Sequence, residues 1–258
     1  MKLSTLLNIN PNSITSIVGS GGKTTLMFHL AEEMREHGKV LVTTTTKIYV
    51  PEKLQYDHLI LVDCFSGDCL AGDKLRDSDN KVHHRIHNGI YVYGKEINED
   101  NKLTSIDEKN LGQLAKNFDF TFIEADGSKK KPLKGWRDDE PVVTEYTTDT
   151  IGVVDGQGLG LEINEDNIHR LDKFLGSHEG NVKEEDFLEV IFNSKGLFNH
   201  SRGRKILFIN RVDNDEIRES ISKLISEIIN KNMTEKLLGK VVIGSLANKK
   251  FKVIDFDE

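Results

Sequence analysis

Apolar residues recur along the chain in two rhythms. Ile14 to Val18 reads as a buried strand, and the next segment sets Leu26, Met27, Leu30, Ala31 and Met34 on one face of a helix. Gly38 stops that helix, after which Val40–Val42, Leu59–Val62, Phe120–Ile123, Ile206–Ile209 and Val241–Ile243 read as further strands. Between the last two, Ile217, Ile221, Leu224, Ile225 and Ile228 return to helical spacing, as a crossover between parallel strands requires. Continuous apolar strands separated by amphipathic helices predict an α/β fold: a three-layer sandwich whose mostly parallel sheet is covered on both faces.

Two stretches depart from this alternation. Val82 to Val92, with Asn88-Gly89 at its centre, reads as an inserted β-hairpin, because Asn-Gly accommodates the positive φ of a tight turn. Residues 160–200, and Asn167 to Asn199 in particular, read as a small helical subdomain. With no internal repeat and no Gly/Ser- or Pro-rich linker, the expectation is one domain over residues 1–258.

Composition narrows the function classes. Hydrophobic residues at 37% and charged residues at 30% suit a folded globular chain. A net charge of −7 argues against a nucleic-acid partner, which calls for a basic surface that displaces counterions. The first ten residues have neither the apolar core of a secretory signal nor a membrane span, so a cytoplasmic protein with no membrane partner is expected. Cys64 and Cys69 lack a second pair and read as ordinary reduced thiols rather than a disulfide framework or a structural zinc site.

The segment Gly19-Ser20-Gly21-Gly22-Lys23-Thr24-Thr25 joins the first strand to the first long helix. Glycines let backbone N–H groups close around a phosphate, and the helix N-terminus adds partial positive charge. Lys23 is then placed for the β- and γ-phosphates of a nucleotide, and the Thr24 hydroxyl for Mg²⁺. Two residues, rather than the usual four, separate the first glycine from Gly22-Lys23, a shortened spacing also found in the Mur ligase group of amide-forming ATPases.

The strand Phe120–Ile123 runs into Glu124-Ala125-Asp126-Gly127. Carboxylates at the C-terminal end of a parallel strand are where a P-loop protein completes its magnesium shell. Glu124 is the expected metal-side acid, and Asp126 a second ligand or the group that orients an attacking water. Thr45, within Thr43–Thr46, is a further candidate for the metal shell or the γ-phosphate, with an ordinary β-branched strand end as the competing reading. Lys129, Lys130, Lys131 and Lys134 form either a solvated loop or a contact for an anionic second substrate.

After Ile206–Ile209 comes Asn210-Arg211-Val212-Asp213. GTPases carry Asn-Lys-x-Asp after such a strand, with the aspartate reading guanine. Here Arg211 stands in the lysine's place, so Asn210 and Asp213 are candidate base contacts and both GTP and ATP stay open. Ser245 follows the last strand, where GTPases use a loop to touch the base.

Gly19–Thr25, Thr43-Thr44-Thr45-Thr46-Lys47, Glu124-Ala125-Asp126-Gly127-Ser128-Lys129, Pro132-Leu133-Lys134, Glu140-Pro141 and His169-Arg170 together resemble the YqeC family. Leu171 follows His169-Arg170 where proline is more usual. The resemblance implies a P-loop NTPase-like fold and an accessory role for selenium-dependent molybdenum hydroxylases, in which the partners are such a hydroxylase or the proteins that mature its cofactor. Three activities stay open: slow Mg²⁺-dependent NTP hydrolysis, at about once per hour to once per minute without a partner; phosphoryl transfer or ligation to an anionic cofactor precursor; and a nucleotide-bound scaffold without turnover. For His169-Arg170 two readings stay open, an arginine reaching the γ-phosphate and a helix-surface salt bridge.

Overall fold

A computed structural model describes residues 1–61, 75–76, 82–83 and 87–256. The principal strands are β1 (Ser13–Gly19), β2 (Lys39–Thr44), β3 (His58–Leu61), β4 (Gly89–Gly94), β5 (Phe120–Glu124), β6 (Asp149–Asp155), β7 (Arg204–Asn210), β8 (Lys240–Ser245) and β9 (Lys250–Asp255). The helices are α1 (Leu3–Leu6), α2 (Lys23–Met34), α3 (Glu108–Ala115), α4 (Glu184–Phe192), α5 (Asp215–Ser220) and α6 (Ser222–Glu235). This is the expected α/β class with a large, mostly parallel sheet, compatible with a three-layer sandwich.

The chain divides into two compact units. The first comprises Met1–Ser16, Thr24–Ala125 and Thr144–Thr148; the second comprises Ile17–Lys23, Asp126–Val143 and Asp149–Glu258. In the first, the strand order runs β1-β5-β2-β4-β3, and the β5–β2, β2–β4 and β4–β3 pairs are parallel. Leu41, Ile60, Tyr91, Tyr93 and Ile123 present one face of these strands to Leu111, Leu114 and Ala115 of α3 and to Phe118. The Phe118 ring meets Tyr91 and Tyr93 edge-on at centroid distances of 5.5 and 5.9 Å, an arrangement that adds specific geometry to area burial. Leu26, Met27, Leu30, Ala31 and Met34 are buried along α2, the apolar stripe read from the sequence.

In the second unit the order is β9-β8-β7-β6-β1, parallel through β8, β7 and β6, with β9 closing the edge antiparallel. Every residue of β6 and of β8 is buried, the pattern of strands covered on both faces. The helix expected around Ile217–Ile228 is broken at Ile221 into α5 and α6, and α6 buries Leu224, Ile228 and Asn232 at four-residue intervals.

The expected Val82–Val92 hairpin is not formed through Asn88-Gly89. Gly89 opens β4, which pairs in parallel with β2 and β3 and so sits inside the sheet. Val82–His83 pairs antiparallel with Leu75–Arg76 instead. The six-residue run Gly-Ile-Tyr-Val-Tyr-Gly is buried throughout, which is what removes it from an exposed hairpin. Residues 160–200 hold one α-helix, α4, together with a 3-10 turn at Leu171–Lys173 and the short strand Ile168–His169. Cys64 and Cys69 lie outside the described residues. Among the described residues no helix is long and apolar enough to cross a membrane.

Candidate functional site

The phosphate-loop sequence forms the expected strand-to-helix turn, with α2 beginning at Lys23 immediately after Gly22. Within the second unit, the loop is wedged against the C-terminal ends of β6 and β7. Gly21 has φ +84°, and a Cβ there would lie 2.7 Å from the Asp155 side chain. At Gly22, with φ +121°, a Cβ would lie 2.6 Å from Nδ2 of Asn210. Side chains are excluded at both positions by conformation and by space. Gly19 hydrogen-bonds through its N–H to Asp126, Ser20 N–H donates to Val153 O at 3.0 Å, and Ser20 Oγ donates to Pro132 O at 2.7 Å. Lys23 is buried, and its ammonium donates to Gly19 O at 2.7 Å.

Asp126 organises the loop from below. Its fully buried carboxylate accepts from Gly19 N–H at 3.0 Å, Lys134 Nζ at 2.9 Å and Trp136 Nε1 at 2.9 Å, and lies 3.3 Å from Lys23 Nζ. Burial alone pushes this acid's pKa up, but the charges of Lys134 and Lys23 and the donated hydrogen bonds outweigh it and hold the carboxyl below its ordinary range. Each of its oxygens is already engaged by these donors, a geometry suited to positioning the loop and Lys23.

Lys134 therefore leaves the exposed lysine cluster. It is fully buried and also donates to Gly127 O at 2.8 Å, with Glu140 3.5 Å away. Glu140 in turn pairs with Arg170 and, at 3.4 Å, with Arg137. Leu133–Lys134 and Ile168–His169 pair as short parallel strands, which brings Lys134 and His169 into register. His169-Arg170 is thus the far end of a buried ionic chain running from Lys23 through Asp126, Lys134 and Glu140. Arg170 belongs to a buried carboxylate, in place of the surface salt bridge weighed from sequence. His169 is buried beside this chain, and burial with the charges of Arg170, Lys134 and Lys129 lowers its pKa to about 4.

In the first unit Thr24, the residue after Lys23, donates through Oγ1 to Glu124 at 2.5 Å. Thr25 follows it, exposed, in the first turn of α2. Thr45 is fixed beside Glu124 by its backbone N–H, which donates to Glu124 O at 3.2 Å. Thr43 and Thr44 spend their hydroxyls on backbone carbonyls, those of Tyr93 and Glu124, at 2.9 and 2.8 Å. Thr45 and Thr46 are both half-buried, but Thr46 N–H turns back to Thr44 Oγ1 at 3.0 Å, which leaves Thr45 as the member of the run held against Glu124 by its own N–H. Thr24 and Glu124 supply hard oxygen donors of the kind Mg²⁺ takes alongside nucleotide phosphates.

Against the phosphate loop, at the C-terminal end of β7, Asn210 is buried and spans two elements. Its Nδ2 donates to Gly21 O at 2.7 Å, and its Oδ1 accepts from Leu246 N–H at 3.2 Å. Asp213 is exposed; Ser245 Oγ donates to one carboxylate oxygen at 2.5 Å and Gln157 Nε2 to the other at 2.9 Å. Arg211 adopts a left-handed backbone, φ +61°, and turns to Asp155, with 2.7 Å between guanidinium and carboxylate. Sequence reasoning missed Asp155 and Trp136, and the roles of Glu140 and Lys134. Asp155 at the end of a Gly-interrupted strand carries no motif of its own, and the other three acquire meaning only through contacts formed by folding.

A family model described as YqeC protein matches residues 15–172, more than half of the chain and a span that contains the phosphate loop, Asp126 and His169-Arg170. The chain belongs to the YqeC family. It is 27% identical over 239 residues to the uncharacterized protein YqeC of Escherichia coli (strain K12), with 89% of this chain and 88% of that one covered. No solved structure matches. The YqeC family match ends before Asn210 and Asp213, so the base-side geometry is argued from this chain's own contacts.

Proposed function

We propose that this YqeC protein binds a nucleoside triphosphate with Mg²⁺, GTP in preference to ATP, and hydrolyses it slowly as an accessory factor in maturing the cofactor of selenium-dependent molybdenum hydroxylases in the cytoplasm. The observation that carries the nucleotide reading is the bond from Asn210 to Gly21 O, which ties the base-side motif directly to the phosphate loop. Two motifs separated by 189 residues are joined through one buried amide.

In this reading the N–H groups from Gly21 onward, at the α2 N-terminus, receive the β-phosphate, and Lys23 exchanges its bond to Gly19 O for the phosphate oxygens. Thr24, the next residue in the chain after Lys23, offers Mg²⁺ the hydroxyl that Glu124 orients. Thr24, Glu124 and Thr45 are the residues that hold Mg²⁺, which when bound neutralises charge on the β- and γ-oxygens. Asp126 keeps Gly19 and Lys23 in place. Asp213, preset by Ser245 and Gln157, accepts from the guanine edge. The hydroxylase-maturation role rests on the family resemblance.

Calorimetric titration of parent and Lys23→Ala protein with a non-hydrolysable GTP analogue tests this reading. The parent binds and the variant loses affinity by roughly two decades or more, as expected when charge-assisted phosphate bonds are removed. Equal affinity in the two proteins overturns the reading.

A further inference from the structure

Beyond the phosphate loop, the second unit contains a half-open cleft of about 290 Å³, close to the size of small-molecule sites, roughly 300–1,000 Å³. Two segments form its walls. Residues 136–138 make one, and 172–175 the other. They meet because residue 135 is glycine: a Cβ there would lie 2.3 Å from the Lys173 carbonyl carbon and 2.5 Å from Phe174 N. The first wall is also pinned from outside, by Asn199 Nδ2 donating to Glu140 O at 2.9 Å and by His200 hydrogen-bonded to Asp138 O at 2.8 Å. Such a cleft is preformed, which lowers the ordering cost of binding.

Its lining combines aromatic surface with charges that the protein does not neutralise internally. Trp136 and Phe174, 6% and 3% exposed, line its inner side. Lys173 and Lys195 reach the cleft from separate segments, and among the described residues neither ammonium has an ion-pair or hydrogen-bond partner. Asp138 and Asp172 add carboxylates that accept from N–H or O–H groups. Paired cations, aromatic walls and nearby acceptors suit one kind of ligand.

We infer that this cleft is a second small-molecule site, for an aromatic or heteroaromatic anion that also carries N–H or O–H donors. Lys173 and Lys195 hold the carboxylate or phosphate, the ring rests on the small surface that Trp136 and Phe174 expose, and Asp138 and Asp172 accept from its donors. Two side chains separate the occupant from the phosphate loop, since Trp136 Nε1–H donates to Asp126, which accepts from Gly19 N–H. The site rests on the cleft alone and stands whether or not the loop takes a nucleotide.

Trp136 is the only tryptophan, so its indole N–H gives a single resonance that reports on the cleft. Parent protein is titrated with 4-aminophenyl phosphate, 4-aminobenzoate and aniline, following that resonance and the heat of binding. One or both anions should shift it saturably and aniline should not, which also tells a phosphate ligand from a carboxylate one. Lys173→Ala/Lys195→Ala, two exposed positions, should weaken anion binding by roughly tenfold or more while keeping nucleotide affinity. Lys23→Ala should keep anion binding, which separates failure of this site from failure of the phosphate loop. No saturable shift with either anion, equal binding of aniline, or unchanged affinity in the double variant overturns the proposal.

Discussion

The ammonium of Lys134 lies 2.9 Å from a carboxylate oxygen of Asp126, and both side chains are wholly buried. Taking Lys134 away leaves the desolvated Asp126 with Lys23, at 3.3 Å, as its remaining cation and strips buried Glu140 of one of its partners. Lys134→Met is therefore expected to cost about 3–5 kcal/mol of stability, measured by urea unfolding, and Lys134→Met/Asp126→Asn should recover part of that loss. A cost below about 1 kcal/mol would show that the pair is solvated.

His169 gives a pH signature. Its unfolded imidazole takes a proton near 6.5, whereas burial and the charges of Arg170, Lys134 and Lys129 keep the folded group neutral down to about 4. Between these values the unfolded chain binds more protons, so this contribution is complete above the unfolded pKa and falls as pH drops through the window. Stability measured from pH 7 to pH 4 should decline with a component that His169→Gln removes; an unchanged slope would exclude His169 as its source.

Glu124→Gln keeps the size of the side chain but loses the charge that faces the Thr24 hydroxyl. Mg²⁺-dependent nucleotide affinity and turnover should fall, while nucleotide binding in the presence of a chelator changes little. An unaltered magnesium dependence would remove Glu124 from the metal side.

Asp213→Asn tests the base. An amide offers guanine one acceptor and one mismatched donor, a loss of about 1–3 kcal/mol, whereas xanthine carries a carbonyl in place of the amine and gains a partner. Competition among GTP, XTP and ATP should show preference moving from GTP to XTP. A parent that prefers ATP and a variant that behaves identically would exclude guanine reading by Asp213.

The sequence by itself determined the elements whose patterns are local. β2, β5, β7 and β8 announce themselves as mostly apolar runs because strands buried on both faces need no polar alternation. The phosphate loop was equally legible, since its glycines answer to backbone conformation within a few residues. β6 was not, because Gly152 interrupts its apolar run; only the fold shows why glycine is there, with Leu197 and Phe198 occupying the space of a side chain. β4 was read as part of a hairpin because Asn88-Gly89 is a strong local turn signal, and its parallel pairing with β2 and β3 is a non-local fact. Tertiary structure also decided what the charged motifs do. Lys134, Glu140 and Arg170 look like surface charges one at a time, and a linear pattern cannot reveal that they share a desolvated network with Asp126. Burial fixes that role, and burial depends on residues far apart in the chain.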